Sequence, residues 1–243
     1  MSYTICVTRF REDLAWLQSL ALQVHVMNKG DDQLYGMSST RLPNKGHEEF
    51  GYLNYIVQNY NHLPEVVVFS QGSLHDHLDL YLLRTFSHPV RLVEHLAHEA
   101  ATLGCSQNYY DHRIGRMSAH RAFKLAVEYP HIVDSGQFFG QWFEANVRSP
   151  WVEDMTWFRN GVFGVSRDGI LSRPKEYYLG LLSQFQDRPE HEIGHYIERS
   201  WFYVFNLDKV CQDDVIAIRR PPAPGVYGQS EADKGPEDNE APV

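Results

Sequence analysis

The chain has 243 residues, 43% hydrophobic and 22% charged, which describes a soluble globular protein with room for one well-packed domain. The formal charge of −9 argues against nucleic acid as a main partner, because phosphate binding needs a basic face. No window approaches the roughly 18 apolar residues of a membrane span.

Met1-Ser2-Tyr3-Thr4 leads straight into an apolar run, without the basic and long apolar regions of a signal peptide. Cys6, Cys105 and Cys211 are few, distant and odd in number, as in reduced, cytoplasmic proteins. Ile5-Cys6-Val7-Thr8 reads as a buried strand. Glu12-Asp13 open an expected amphipathic helix through Leu14, Leu17, Leu20 and Ala21. Val24 to Met27 is a second strand, stopped by Asn28-Lys29-Gly30. Strand, helix and strand in that order predict a parallel α/β sheet. Leu42 to Gly46 is a turn. Glu48 to Tyr60 is a helix, with Phe50, Leu53, Ile56, Val57 and Tyr60 at helical spacing. Glu65 to Phe69 is the strongest strand and ends in Ser70-Gln71-Gly72.

Between Leu78 and Pro150 the pattern is weaker. Val90 to Leu103 reads as a helix, and Asp111 to Val127 and Phe138 to Val147 as short helices and loops. Thr156 to Ser166 is a strand punctuated by glycine. Pro174 sits in the first turn of a helix that reaches Phe185. Pro189 to Phe205 reads as one last helix. Residues 1–219 are thus expected to form a single α/β domain, and 220–243 a disordered, acidic, Pro/Gly-rich tail. From Glu231 onward that tail holds five acids against Lys234 alone, so the net charge says little about a substrate.

The last helix carries His191-Glu192-Ile193-Gly194-His195, the H-E-x-x-H form of zinc peptidases. If the string is helical, its histidines share one face. A third ligand is hard to find. Glu198 shares the face, but lies about 10 Å of helix rise from His191, while zinc bonds are about 2 Å long. Sorted otherwise, Ile193, Ile197, Trp201, Val204 and Phe205 form a core-facing arc, with His191, His195 and Glu198 along its edge. A carboxylate at the edge of an apolar wall suits a general base. The bland alternative is a surface Glu198 paired with an arginine. Other pairs that could hold a metal are His75 with His77, just past a strand end, and His95 with His98 on a helix.

Several strings, in order, resemble one family. They are Val7 to Leu17, Asn28 to Gly30, Leu42 to Gly46, Tyr52-Leu53 through Asn59-Tyr60, Leu63 to Gly72, Asn160 to Arg167, and Tyr196 to Trp201. Together they look like an uncharacterised domain-of-unknown-function family similar to GT-A-type glycosyltransferases, over about residues 4 to 207.

The resemblance implies a GT-A-like, mixed and mainly parallel sheet flanked by helices. It implies transfer of a sugar from a nucleotide-diphosphate donor to a hydroxyl acceptor, with inversion. Thr8, Arg9, Glu12, Asn28, Lys29, Gln71, Gly72 and Asp76 would hold the donor. Trp157, Asn160 and His195 would meet the acceptor, and Glu198 would be the base, with Glu192 as its rival. The strand ending in Ser70-Gln71-Gly72 lacks the acidic signature that holds Mn²⁺ or Mg²⁺ in such enzymes. Asp76 and His77 are its nearest substitutes. Otherwise Lys29, Lys45, Arg159 or Arg167 would make the chemistry metal-independent. Two other functions stay open: a non-catalytic glycan- or nucleotide-binding module, and the zinc peptidase.

Overall fold

The structure is a computed structural model, and it describes residues 2–31, 33–74, 88–107, 117–118, 121–151, 154–155, 158, 161–187 and 190–207. In chain order the strands are β1 (Tyr3–Arg9), β2 (Gln23–Asn28), β3 (Ser38–Arg41), β4 (Val66–Gln71), β5 (Cys105–Gln107), β6 (Met117–Ser118), β7 (Asp154–Met155) and β8 (Phe163–Ser166). The helices are α1 (His47–Asn59), α2 (Pro89–Leu103), α3 (Leu125–Glu128), α4 (Phe139–Asn146), α5 (Arg167–Leu171), α6 (Lys175–Leu182), α7 (Glu192–Glu198) and α8 (Trp201–Val204).

The main sheet has the order β3-β2-β1-β4-β8-β5. β3, β2, β1 and β4 run parallel, and β8 runs antiparallel to both of its neighbours. β6 and β7 form a separate small ladder. The expected mixed, mainly parallel α/β sheet is therefore observed.

Strand alternation splits the core in two. Ile5, Val7, Val26 and Val68 pack with Leu14, Leu17 and the α2 residues Leu92, Val93, Leu96 and Ala97. Cys6, Met27, Val67 and Phe69 face the other way, toward α1, α6, α7 and α8. A sheet buried on both faces explains why these strands read as continuous apolar runs. Cys6 and Cys105 are buried, and burial pushes the Cys6 pKa up. Among the described residues no helix is long and apolar enough to cross a membrane.

Two helices depart from expectation. The segment after Glu12 is only a short 3-10 turn over Ala15–Ser19, ended by extended Leu20. Asp13 Oδ1 accepts from Ala15 N at 2.9 Å, a local bond that competes with a longer helix. The last helix is two pieces, α7 and α8, with Arg199 and Ser200 between them. His191 precedes α7 in extended conformation (φ −135°, ψ 130°), so the H-E-x-x-H string is not wholly helical. Cys211 and the tail from residue 220 lie outside the described residues.

Gly51 sets how closely α1 lies on the sheet. A Cβ there would stand 2.0 Å from Thr8 Oγ1, so no larger residue fits without moving the helix off β1. This contact carries the start of α1 over the carboxyl ends of β1 and β4, where ligands of open α/β sheets bind.

Candidate functional site

At that end of the sheet lies a cavity of about 530 Å³. It is lined by Thr8, Arg9, Phe10, Glu12, Lys29, Asn44, His47, Glu48, Glu49, Gln71, Glu190, His195 and Glu198. Three elements build it: the ends of β1, β2 and β4 form the floor, α1 one wall, and α7 with the segment before it the other.

Each side chain is held by bonds that follow from this arrangement. Arg9 is 2% exposed and braces the loop after β2. Its Nε donates to Glu12 O at 2.8 Å, Nη2 to Asp31 Oδ1 at 2.7 Å, and Nη1 to Asp31 O at 3.0 Å and Asn28 Oδ1 at 3.3 Å. Lys29 Nζ donates to the carbonyl oxygens of Lys45 at 2.8 Å, Gly46 at 3.0 Å and His47. Burial lowers the Lys29 pKa to about 8 against the opposing pull of Glu49, Glu48 and Glu12. Thr8 Oγ1 donates to Glu48 O at 3.3 Å, and Gln71 Nε2 to Glu48 Oε1 at 2.7 Å. Glu12 Oε2 is taken by the amides of Phe10 (2.6 Å) and Arg11 (3.0 Å).

The opposite wall is acidic. Glu48 and Glu49 stand in the first turn of α1, where the helix dipole favours carboxylates. Glu49 is buried and its Oε1 has no hydrogen-bond partner. Burial, then Glu48 and Glu198, holds its carboxyl well above the usual range. Glu198 faces the cavity from the last turn of α7 with 18% of its side chain exposed. Its carboxylate lies 3.6 Å from Arg199 Nη1 and 3.9 Å from His195 Nδ1. Desolvation raises its pKa to about 7, with Arg199 pulling down and Glu48 pushing up. His195 is lowered to about 4 by burial, then by His47 and Arg199.

The cavity thus gathers Thr8, Arg9, Glu12, Lys29, Gln71, His195 and Glu198 from distant parts of the chain. Two other expected donor residues do not line it. Asn28 is buried as a brace, with Oδ1 accepting from Gly30 N (3.1 Å) and Nδ2 donating to Asp31 O (2.7 Å). Gly72 is turned toward Trp16, whose Nε1 donates to its carbonyl at 2.9 Å. Asp76, His77, Trp157, Arg159 and Asn160 lie outside the described residues.

The peptidase arrangement is not assembled. His195 lines the cavity, whereas His191 is 1% exposed, packs on Phe185 and accepts from Gln186 N at 3.1 Å through Nε2. Glu192, the general base of that reading and the rival base of the transfer reading, is 0% exposed. Its oxygens accept from Ala126 N at 2.9 Å, Ser135 N at 3.0 Å and Ser135 Oγ at 2.6 Å. It ties α7 to the preceding segments. Of the expected cations, Lys29 lines the cavity, whereas Arg167 and Lys45 do not. Arg167 Nε donates to Leu63 O at 2.8 Å, at the opposite end of β4, and Lys45 Nζ sits over the Phe50 ring.

His47, Glu48, Glu49 and Glu190 were not singled out in the sequence. Two acids after a Gly turn signal only a helix start. Glu190 precedes its helix and gains meaning only because α1 and α7 meet.

No curated protein matches the chain. Among solved structures, CMP:2-keto-3-deoxy-manno-octonic acid synthetase complexed with CTP is similar at 12% identity. That match covers 86% of this chain and 87% of the other, with a TM-score of 0.36. Over residues 5–218 the sequence matches the family described as "Protein of unknown function (DUF3431)", and the chain belongs to that family.

Proposed function

We propose that the protein transfers a sugar from a nucleotide-diphosphate donor to a hydroxyl acceptor, with Glu198 as general base. The observation that carries this reading is the position of Glu198. It is a partly desolvated carboxylate at the rim of a cavity floored by the ends of three parallel strands.

The chemistry follows from that position. Glu198 takes the proton of the acceptor hydroxyl. The acceptor oxygen attacks the anomeric carbon, and the bond from that carbon to the diphosphate oxygen breaks, its electron pair leaving on the diphosphate. A single displacement inverts the carbon. A base whose conjugate acid has a pKa of about 7 is matched to this task near neutral pH. Arg199 and His195 flank it, at 3.6 Å and 3.9 Å. Thr8, Lys29 and Gln71 would meet the donor from the floor.

The charge of the cavity constrains the donor. Five glutamates line it against Arg9 and Lys29, whose donors already bond to neighbouring groups. A bare diphosphate is repelled by such a wall. The reading therefore includes a divalent cation, which would neutralise charge on the leaving diphosphate. The acid wall also favours a second reading, a module that binds glycan hydroxyls without turnover, since carboxylates are strong acceptors.

A thermal-shift panel of nucleotide-diphosphate sugars, with and without divalent ions, separates these readings. Transfer predicts stabilisation by one donor class and slow release of its nucleoside diphosphate. Stabilisation by glycans alone would favour the binding module, and no response to any donor would refute transfer.

A further inference from the structure

The geometry points to a binding site for a transition-metal dication of the zinc type, formed by His47, Glu190 and His195. This goes beyond the transfer reading and does not depend on it. One ligand atom from each residue lies within 4.8 Å of the other two. The residues come from three places: the first turn of α1, the segment before α7, and α7 itself. Their approach is a built feature. α7 packs directly on α1 here, and a Cβ at Gly194 would be in ordinary contact with His47 Cδ2, at 3.4 Å. Glu190 is pinned through its backbone, its carbonyl accepting from Val133 N at 3.2 Å.

An independent observation marks the place as unfinished. His47 Nε2 is closed off from water and makes no acceptable hydrogen bond. Glu190 Oε2 stands 2.8 Å from it as an ion-pair contact that is poorly aligned for a hydrogen bond. A buried ring nitrogen without a hydrogen bond is costly. The His47 and His195 imidazoles lie side by side, with ring centroids 5.0 Å apart and planes tilted by 55°. Tetrahedral donors on zinc are about 3.3–3.4 Å apart, given bonds of about 2.0–2.1 Å. The three donor atoms, within 4.8 Å of one another, lie near that spacing.

The donor set selects the ion. Two imidazoles and one carboxylate suit Zn²⁺ and its neighbours, whereas Mg²⁺ and Ca²⁺ prefer oxygen ligands. Three protein donors also leave a coordination position open, as in catalytic rather than structural zinc sites. All three residues line the cavity that also holds Glu198. The second histidine of the H-E-x-x-H string is thus a ligand, but its partner is His47 on another helix instead of His191.

The test is metal uptake by the full chain after stripping with chelator, without any sugar present. Calorimetry and elemental analysis should find one Zn²⁺ per chain, and Co²⁺ should give the visible spectrum of a site with nitrogen ligands. Mg²⁺ and Ca²⁺ at the same concentration should give no uptake. His47→Gln and His195→Gln should each weaken zinc by more than the ~10–100-fold that an outer-shell change costs. Glu190→Gln should weaken it too, and its side chain is 44% exposed, so this variant keeps its fold. His95→Gln, on the surface of α2, should change nothing. Zinc uptake unaltered in the His47, Glu190 and His195 variants, or no stoichiometric uptake by folded wild-type protein, would overturn the inference. Because no donor is present, failure here leaves the transfer reading standing, and loss of turnover with intact uptake would count against transfer alone.

Discussion

Glu198→Gln is expected to keep donor binding within about twofold of wild type and to lower turnover by about 10²–10⁴-fold, the range that general acid–base groups contribute. Gln keeps the shape and the acceptor oxygen but cannot take a proton. It also removes one negative charge from an acidic wall, so donor binding has no reason to weaken. The split between binding and turnover is the signature of a base, because a purely structural role would move both. Glu192→Gln is the contrasting variant. That buried carboxylate accepts three bonds and does not line the cavity, so its substitution should lower stability and leave the chemical step alone. Steady-state turnover and donor titration on both variants decide the matter. Equal turnover in Glu198→Gln and wild type would remove Glu198 from the mechanism.

Trp201→Ala should cost about 3–5 kcal/mol of folding stability, the range for emptying a large aromatic site in a core. Trp201 is fully buried at the start of α8. Its ring stacks on Phe205 at 5.2 Å and meets Phe163 at 5.7 Å, Tyr52 at 6.1 Å and Phe69 at 6.5 Å. One side chain thus joins α8 to β8, α1 and β4. Its Nε1 has no hydrogen-bond partner, so Trp201→Phe gives up an unsatisfied donor along with ring volume and should cost far less. Urea unfolding of both variants measures the difference. A loss below about 1 kcal/mol for the alanine variant would mean that this cluster is not the centre of the core.

The parts of the fold legible in the sequence are those in which local pattern and burial agree. Val66, Val67, Val68 and Phe69 are an unbroken apolar run because β4 is covered on both faces. α1 was legible from its spacing, and its observed ends, His47 and Asn59, differ from Glu48 and Tyr60 by one residue each. β3 was missed because Ser38-Ser39-Thr40-Arg41 has no apolar residue and pairs only with β2, at the sheet edge. β5 was missed for similar reasons, being three residues long. The split of the last helix had a local cause: Ser200 Oγ bonds back to Tyr196 O at 2.7 Å, a contact that bends helices.

The candidate site divides the same way. Thr8, Arg9, Lys29 and Gln71 were implied by the family resemblance, and they meet in one cavity because strand ends in a parallel sheet converge. Asn28 and Gly72 sit at such ends too, but a strand end does not say which way a group points. Asn28 turned to its own loop, and the Gly72 carbonyl to Trp16. His47 and Glu190 are separated by most of the chain, and only the contact of α1 with α7 brings them together. The H-E-x-x-H string, kept in the sequence only as an alternative, does not present both histidines on one helix, because the first lies outside it.

The account stands on the cavity between β1, β4, α1 and α7 being where the donor binds. A crystal structure of the protein with a nucleoside diphosphate and a divalent ion tests this most directly. The account predicts the diphosphate over Thr8, Lys29 and Gln71, with the side chain of Glu198 facing the open end of the ligand. A nucleotide bound at any other surface, with this cavity left to solvent, would contradict it.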